Sequence, residues 1–268
     1  MEKKHMQISL LFILMLSLLA CKPSESPISD EEHLWPPGSS TIEFSGYKWN
    51  VKNPVGTSGP MNNYWSNQNV WVDHEGKLHL KIRKDQSGRW TCAEISSTQV
   101  FGFGDYVWLV EGEIDKLDKN IVLGLFNYRG YEYTKNDEID IEIARWGNDK
   151  WHNLNYTNYP DFASGISTTT NPKYITKTNE LALESIWSTH RYRRTSQSIQ
   201  YASFNGHTED NAKRIFEWST EGQTQVPGFV VTQSPSRVHM NLWLFEALPP
   251  SDLKEVEVII KAFIYRPL

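Results

Sequence analysis

The sequence predicts an all-β protein built as a single antiparallel β-sandwich, and three observations lead to this prediction. Apolar and polar residues alternate in most segments, such as "DYVWLVEGEID", "RVHMNLWLF" and "EVEVIIKAFIY", and this period of two is typical of strands buried on one face. Helical spacing is scarce: residues 180–186 and 210–218 are the best candidates, and both are short and uncapped. No internal repeat or second linker divides the chain, so one sandwich with a core-covering face and a wet face accounts for it.

The first 40 residues are predicted to precede the fold. Two lysines and then an apolar run at residues 8–20, shorter than the roughly 20 residues of a spanning helix, indicate a signal peptide over residues 1–20. The run ends in "LLAC", which resembles the lipobox of bacterial lipoproteins, in which the thiol of the cysteine, here Cys21, is acylated; the alternative is a plain signal peptide with an incidental cysteine. Residues 21–40 are rich in Pro, Ser and acids, as in a flexible tether.

The lipobox resemblance predicts where the protein is located. Several acyl chains on Cys21 would anchor it to a membrane without a transmembrane segment. Lys22 occupies the place where a retention signal for the inner membrane has Asp. We therefore expect a lipid-anchored protein of the bacterial cell envelope, at the outer membrane.

Charge and cysteine content limit the partners of the remaining domain, residues 41–268. The net charge of -5 and pI near 5.9, with scattered basic residues, give no reason to expect a nucleic acid partner. Cys92 is the other cysteine in the chain, so with Cys21 lipidated it is expected to be a free, buried and unreactive thiol. We expect the domain to be a monomer.

The run "NDEIDIEIARW", residues 136–146, places acids and isoleucines in strict alternation. Residues two apart on a strand share a face, so the isoleucines should be buried and the acids should not; the acids are Glu138, Asp140 and Glu142, and the isoleucines are Ile139, Ile141 and Ile143. Spacing alone is weak support, because a second acidic alternation occurs at residues 111–115. That one contains a glycine and continues into polar residues, as an exposed strand end would. Like charges across a well-buried strand destabilise it, which indicates a functional role.

Two kinds of chemistry suit three acids in a row. Calcium prefers six to eight oxygen ligands from a loop, and a flat strand presents too few. Glycoside hydrolysis needs two carboxyl groups in different protonation states, and in retaining enzymes they lie roughly 5 to 5.5 Å apart. Repulsion among three carboxylates should keep at least one protonated near neutrality, and the titration would belong to the cluster. These arguments leave open which two acids carry the reaction.

The run "EIDIE" resembles the signature of glycoside hydrolase family 16, jelly-roll enzymes that include lichenases, laminarinases, agarases and carrageenases. The segments "CAEISSTQVFGFGDYVW", "NIVLGLFNYRG", "HNLNYTNY" and "HMNLWLF" follow in the order that lichenase-like members show. The resemblance implies a single jelly-roll sandwich with a concave substrate groove. It also implies a retaining reaction in which Glu138 is the nucleophile, Glu142 the general acid/base, and Asp140 a hydrogen-bonding partner of the nucleophile.

The resemblance also implies substrate-binding residues. In "HMNLWLF" an amide and a ring share one face, as a sugar-binding platform would, whereas for Trp65 core packing and for His152 a surface position are equally open alternatives. The predicted residues are Asn62, Trp65, Glu94, Tyr128, Asn136, His152, Asn241 and Trp243. Asn136 stands where lichenases have Trp, and Ser96 where they have an Arg two residues after the matching Glu. Arg145 and Trp146 follow in a turn that could reach the groove.

Together these features predict a retaining endo-β-glycosidase that acts on a polysaccharide, with β-1,3- or β-1,3/1,4-glucan as the first expectation and an agar- or carrageenan-type galactan as the second. A transglycosylase and a non-catalytic lectin of the same fold remain alternatives. The reaction requires no cofactor. A structural calcium on the convex face, as in many relatives, is left open.

Overall fold

The computed structural model describes residues 40–129, 138–159, 161–162, 174–223, 226 and 229–268. Cys21, the predicted signal peptide, the predicted tether up to residue 39, and Asn136 lie outside the described residues. No helix in the described part of the chain is long and apolar enough to cross a membrane.

The described residues form 20 strands. The strands are β1 (Thr41–Phe44), β2 (Tyr47–Val51), β3 (Thr57–Ser58), β4 (Asn63–Tyr64), β5 (Val70–Val72), β6 (Leu78–Lys84), β7 (Trp90–Thr91), β8 (Ala93–Phe101), β9 (Gly104–Glu111), β10 (Ile121–Tyr128), β11 (Glu138–Ala144), β12 (Leu154–Tyr159), β13 (Asp161–Phe162), β14 (Ile175–Asn179), β15 (Trp187–Arg194), β16 (Ile199–Asn205), β17 (Arg214–Ser219), β18 (Phe229–Val230), β19 (Ser236–Leu244) and β20 (Val256–Pro267).

The helices of the described residues are single 3-10 turns. They lie at Asn67–Asn69, Ile114–Lys116, Asn211–Lys213 and Phe245–Ala247. The helix predicted for residues 180–186 is wrong, because this segment has no helical structure before β15. The helix predicted for residues 210–218 is also wrong beyond its first turn, since the chain continues as β17, which pairs with β16.

Two large antiparallel sheets form the sandwich. One has the order β1-β2-β8-β19-β10-β11-β12-β14, and the other has the order β17-β16-β15-β9-β20-β6-β5, with β7 paired to β6. The acidic run is β11, which lies between β10 and β12 and away from both edges of the first sheet. Because β19 is the neighbour of β10, four consecutive strands bring the segments that the sequence analysis singled out onto one surface.

The core lies between the two sheets. Ile139, Ile141 and Ile143 are fully buried, as predicted, and each such side chain stabilises the fold by about 1.5 to 3 kcal/mol relative to an exposed one. Aromatic rings join the sheets: Tyr156 of β12 stacks on Tyr201 of β16 with ring centroids 4.8 Å apart. The apolar face of β11 therefore fixes the register that turns its acids to the opposite face.

Two smaller predictions are also confirmed. Cys92 is free and fully buried, and burial raises the pKa of its thiol to about 12, so the thiolate needed for reactivity is disfavoured. The second acidic alternation leaves its strand, since β9 ends at Glu111 and Glu113 is exposed beside Lys116.

Candidate active site

The three acids of β11 lie in three rows that run across the first sheet. Residues opposite one another on neighbouring strands point to the same face. The row of Glu142 contains Gly124 and Asn155, the row of Asp140 contains Phe126 and Thr157, and the row of Glu138 contains Tyr128 and Tyr159. Strand β19 extends these rows with Asn241, His239 and Arg237 in that order. Amides, hydroxyls and rings therefore surround the carboxyl groups.

The acids are less exposed than the sequence indicates. Glu138 and Glu142 are partly buried, and Asp140 is only 3% exposed. The prediction that the acids are not buried is thus wrong for Asp140. The reason is its place in the middle row, where it is flanked by Glu138 and Glu142 along the strand and by Phe126 and Thr157 across it.

Burial raises the pKa of each acid, and a neighbouring negative charge adds to the effect. Burial raises the pKa of Glu138 to about 7, although a hydrogen bond with Asp140 acts in the opposite direction. Burial and the charge of Glu138 raise the pKa of Glu142 to about 8. The pKa of Asp140 lies well above its usual range because of burial and its two charged neighbours. Near neutral pH the cluster therefore keeps protons on some of its carboxyls, as the sequence predicts, and Asp140 donates a hydrogen bond to Glu138.

This arrangement makes stability depend on pH, and Glu142→Gln should reveal it. The native Glu142 carboxyl, with its pKa raised from 4.5 to about 8, keeps a proton that the unfolded chain loses, so stability falls as pH rises between these values. Glutamine abolishes this decline. We compare the unfolding free energy of Glu142→Gln with that of wild type at pH 5 and at pH 8. The difference, variant minus wild type, should increase by about 1 to 3 kcal/mol from the lower to the higher pH, since one pKa unit corresponds to about 1.4 kcal/mol. Urea denaturation at the two pH values measures it.

The control for this experiment is Glu43→Gln on β1, where the side chain is exposed. It should follow the wild-type pH dependence. If Glu142→Gln and wild type lose the same stability between pH 5 and pH 8, the Glu142 carboxyl does not hold its proton in the native state.

Glu94 is held in a buried ionic network two strands from β10. Lys52 Nζ lies 2.8 Å from Glu94 Oε2, and His239 Nδ1 lies 3.3 Å from Oε1. Burial alone would raise the pKa of Glu94, but the charge of Lys52 and the hydrogen bond from His239 outweigh it and lower the pKa to about 2. The His239 ring also stacks on Phe126 at 4.9 Å, so the network borders the row of Asp140. Any contact of Glu94 with a sugar would therefore involve Lys52 and His239.

Trp243, the ring of the predicted sugar-binding platform, is more buried than expected and packs beside a second ring. Trp243 shares the face of the acids but is only 5% exposed. Its ring lies 6.2 Å from that of the partly buried Trp146. Trp146 Nε1 donates a 3.2 Å hydrogen bond to Asn155 Oδ1, and Asn155 is the neighbour of Glu142 in its row. Trp146 thus reaches the row of Glu142, whereas Arg145 forms an ion pair with Glu180.

The remaining predicted residues differ in their burial and in their contacts. Trp65 is 4% exposed and belongs to the core, with Lys52 Nζ 4.0 Å from its ring, which favours the core-packing alternative. His152 is exposed and precedes β12. Its Nδ1 lies 3.4 Å from Oγ1 of Thr178, which is on β14 and opposite Asn155. Asn62 is exposed in the turn between β3 and β4. Tyr128 lies opposite Glu138 and 6.0 Å from the His239 ring.

The structure adds residues that the sequence analysis did not select. His239 shares a face with Asn241, and Asn155, Thr157 and Tyr159 alternate within "HNLNYTNY", so extending the period of two along these strands would have identified them. Lys52 carried no such signal, because its contact with Glu94 joins residues 42 positions apart. Within the described ranges, no group of three or more His, Cys, Asp or Glu side chains could hold a metal ion.

In sequence, the chain is similar to beta-glucanases. No protein-family model matches the chain. It is 33% identical to a beta-glucanase of Paenibacillus macerans over 119 residues, which are 43% of this chain and 48% of the relative. It is 26% identical to a beta-glucanase of Bacillus licheniformis over 219 residues, covering 77% of this chain and 74% of the relative. The chain therefore spans about half the length of the first of these relatives.

Solved structures show the same fold. The Bacillus licheniformis beta-glucanase superimposes with a TM-score of 0.59 and 20% identity, covering 87% of this chain and 100% of that chain. A Mycobacterium tuberculosis protein described as an immunostimulatory antigen and pseudo beta-1,3-glucanase superimposes with a TM-score of 0.56 and 17% identity, covering 81% of this chain and 89% of that chain. These likenesses confirm the predicted jelly-roll sandwich.

Proposed function

We propose that the chain is a retaining endo-β-glycosidase of the glycoside hydrolase family 16 type, with β-1,3- or β-1,3/1,4-glucan as its substrate. The observation that supports this most strongly is that Glu138, Asp140 and Glu142 lie on one face of β11 in a fold shared with a beta-glucanase. Their pKa values are raised by burial and by neighbouring negative charges. A carboxylate nucleophile beside a carboxylic acid is the pair that retaining glycoside hydrolysis needs.

In the proposed reaction Glu138 and Glu142 act in two steps. The Glu138 carboxylate attacks the anomeric carbon and forms an ester bond as the glycosidic C–O bond breaks, and Glu142 gives its proton to the leaving oxygen. Glu142 then takes a proton from a water molecule, whose oxygen displaces Glu138 from the anomeric carbon. Asp140 is protonated and hydrogen-bonded to Glu138. This hydrogen bond stabilises the charged form of the nucleophile and weakens when Glu138 loses its charge in the ester.

The charge of the groove favours a neutral polysaccharide. Glu94 is ionised, and the positive charge of Lys52 is balanced by its contact with Glu94. A sulfated or carboxylated sugar over the acids would meet the negative charges of Glu94 and of the ionised member of the cluster, against the positive charge of Arg237 in the row of Glu138. The excess of negative charge would repel such a sugar, and this repulsion weakens binding. This supports glucan over a sulfated galactan.

A panel of polysaccharides tests the proposal. Laminarin, lichenan, agarose and carrageenan are incubated with the protein and new reducing ends are counted. We expect laminarin or lichenan to be cut internally, with early products that proton NMR shows in the β-anomeric form. Release of α-anomers would contradict the role of Glu138, and turnover of agarose alone would contradict the glucan assignment.

The alternatives lead to different results in the same experiment. A transglycosylase would yield longer chains when excess oligosaccharide is added, because a sugar hydroxyl replaces water in the second step. A lectin would bind a polysaccharide without producing reducing ends. From a hydrolase we expect new reducing ends and, at low oligosaccharide concentration, no longer chains.

We also propose that the protein is a lipoprotein of the bacterial cell envelope, anchored through Cys21 at the outer membrane. Replacing Cys21 by Ser removes the acylated thiol, so the protein should move from the membrane to the soluble fraction on cell fractionation. Ser24→Ala, three residues further along the predicted tether, is the matched control and should remain with the membrane. Membrane attachment of Cys21→Ser would contradict the lipid anchor.

A further inference from the structure

Asn241, Gly124 and Glu142 lie side by side on three successive strands. Asn241 of β19 is opposite Gly124 of β10, and Gly124 is opposite Glu142 of β11. The three positions share the face of the sheet on which the acids lie. Gly124 has no side chain, so no atom beyond the backbone separates the amide of Asn241 from the carboxyl of Glu142 along this row.

Gly124 provides the space that the Asn241 amide occupies. A methyl group built on Gly124 would lie 2.4 Å from Asn241 Oδ1 and 3.4 Å from its Cγ. The backbone of Gly124 does not have a positive φ, so glycine is needed here for room and not for backbone freedom. The Asn241 carbonyl therefore lies over β10, on the way to Glu142.

The oxygen placed there lacks a partner. Asn241 is 3% exposed, and its Oδ1 has no hydrogen-bond partner among the residues that the structure describes. A buried acceptor without a donor costs about 1 to 3 kcal/mol, so it indicates a missing donor. Neighbouring strands are about 4.8 Å apart, and the two Cα atoms are thus about 10 Å apart. An Asn and a Glu side chain extended toward each other can close this gap.

We infer that Asn241 is a positioning residue for the general acid: its Oδ1 accepts the hydrogen bond that the protonated Glu142 donates. The inference rests on the proposed function for the role of Glu142 but concerns a bond within the protein. An acceptor for the neutral carboxyl stabilises the protonated form and fixes the direction of its O–H. Asn241 thus acts through Glu142, in addition to any contact with sugar.

Other titratable groups lie beside Glu142 or on the neighbouring strands of its sheet, and they must be kept in place in a test. They are Glu138 and Asp140 on β11, Tyr159 on β12, His239 and Arg237 on β19, Glu94 on β8 and Lys52 after β2. Asn241 itself carries no charge. Its replacement by Ala therefore changes a hydrogen bond without adding or removing a charge near the acid.

The test is a titration of Glu142 in protein labelled with ¹³C at the Glu side-chain carboxyls, where the signal of Glu142 is the one that disappears in Glu142→Gln. We expect Asn241→Ala to lower the titration midpoint of Glu142 by about half to one pH unit. Gly124→Ala, which pushes the amide aside, should cause the same shift, and the double variant should add nothing further. Gly102→Ala is the matched control, because a methyl there meets no atom within 4 Å.

Turnover gives a second measurement. The basic limb of the pH profile of kcat/KM should shift to lower pH by the same amount in Asn241→Ala and Gly124→Ala. At pH values above the midpoint of this limb, kcat/KM should therefore fall roughly 3- to 10-fold. An unchanged midpoint with a raised KM would overturn the inference and leave Asn241 as a sugar contact only. An upward shift would overturn it too, since it would mean that the amide donates to ionised Glu142.

The two proposals fail in different ways. If the polysaccharide panel shows no turnover but the midpoint shifts downward, the Asn241–Glu142 hydrogen bond stands and the proposed function fails. If turnover is found and the midpoint does not move, the function stands and the role of Asn241 fails. The titration needs no substrate, so neither outcome depends on the other.

Discussion

Glu138→Gln should lower polysaccharide turnover by about 10⁴-fold or more while leaving substrate affinity within a few-fold of wild type. The glutamine amide has nearly the shape of the carboxylate but is a poor nucleophile and carries no charge, so the glycosyl ester cannot form. Loss of a nucleophile in an enzyme of this kind typically removes several orders of magnitude of kcat. Reducing-end release measures turnover, and calorimetry with the same polysaccharide measures affinity.

The chain offers a matched control for this experiment. Glu111 belongs to the other acidic alternation and pairs with Lys77 at the end of β9, so Glu111→Gln makes the same chemical change outside the groove. Its turnover should equal that of wild type. If Glu138→Gln kept wild-type turnover, another residue would be the nucleophile.

A third outcome separates enzyme from lectin. If wild type and Glu138→Gln bind glucan equally and neither releases reducing ends, the domain is a binding protein. The fold alone does not decide between these functions, because a chain described as a pseudo beta-1,3-glucanase shares it at a TM-score of 0.56. The acids of β11 support the enzyme, and this variant tests them directly.

The fold and the position of the acids were predictable because both depend on local periodicity. Alternation along β11 required that its isoleucines face the core and its acids the groove. The same argument applied to β12 and β19 would have placed Asn155, Thr157 and His239 beside them. What the sequence could not show is depth, and Asp140 is buried because neighbouring strands supply Phe126 and Thr157.

The contacts between distant segments were not predictable. Lys52 and His239 meet at Glu94 only because β2, β8 and β19 are neighbours in the sheet, and no spacing along the chain encodes that order. The importance of Gly124 is likewise visible only once Asn241 and Glu142 are known to flank it. The failed helix at residues 210–218 has the same cause, since pairing with β16 determines its structure.

Glu142→Gln should distinguish substrates by their leaving groups. On a polysaccharide the leaving oxygen is a poor leaving group that needs a proton, so we expect turnover to fall by roughly 10³- to 10⁴-fold. On a dinitrophenyl β-glycoside the leaving phenolate needs no proton, and the first step should proceed at close to the wild-type rate. The variant should then stall as the Glu138 ester, because the amide that replaces the Glu142 carboxyl cannot take a proton from water. A burst of dinitrophenolate followed by slow turnover, recorded by stopped-flow absorbance, is the expected result.

Added azide provides the control, because it attacks the ester without needing a general base. It should restore steady turnover to Glu142→Gln and give a β-glycosyl azide, which retains the configuration of the substrate. Glu138→Gln should show neither burst nor rescue, since it forms no ester. Equal losses on the polysaccharide and on the dinitrophenyl glycoside, with no response to azide, would remove Glu142 from the role of acid/base. The burial and the charge of Glu138 that raise its pKa to about 8 would then be a consequence of its place in the sheet and not of catalysis.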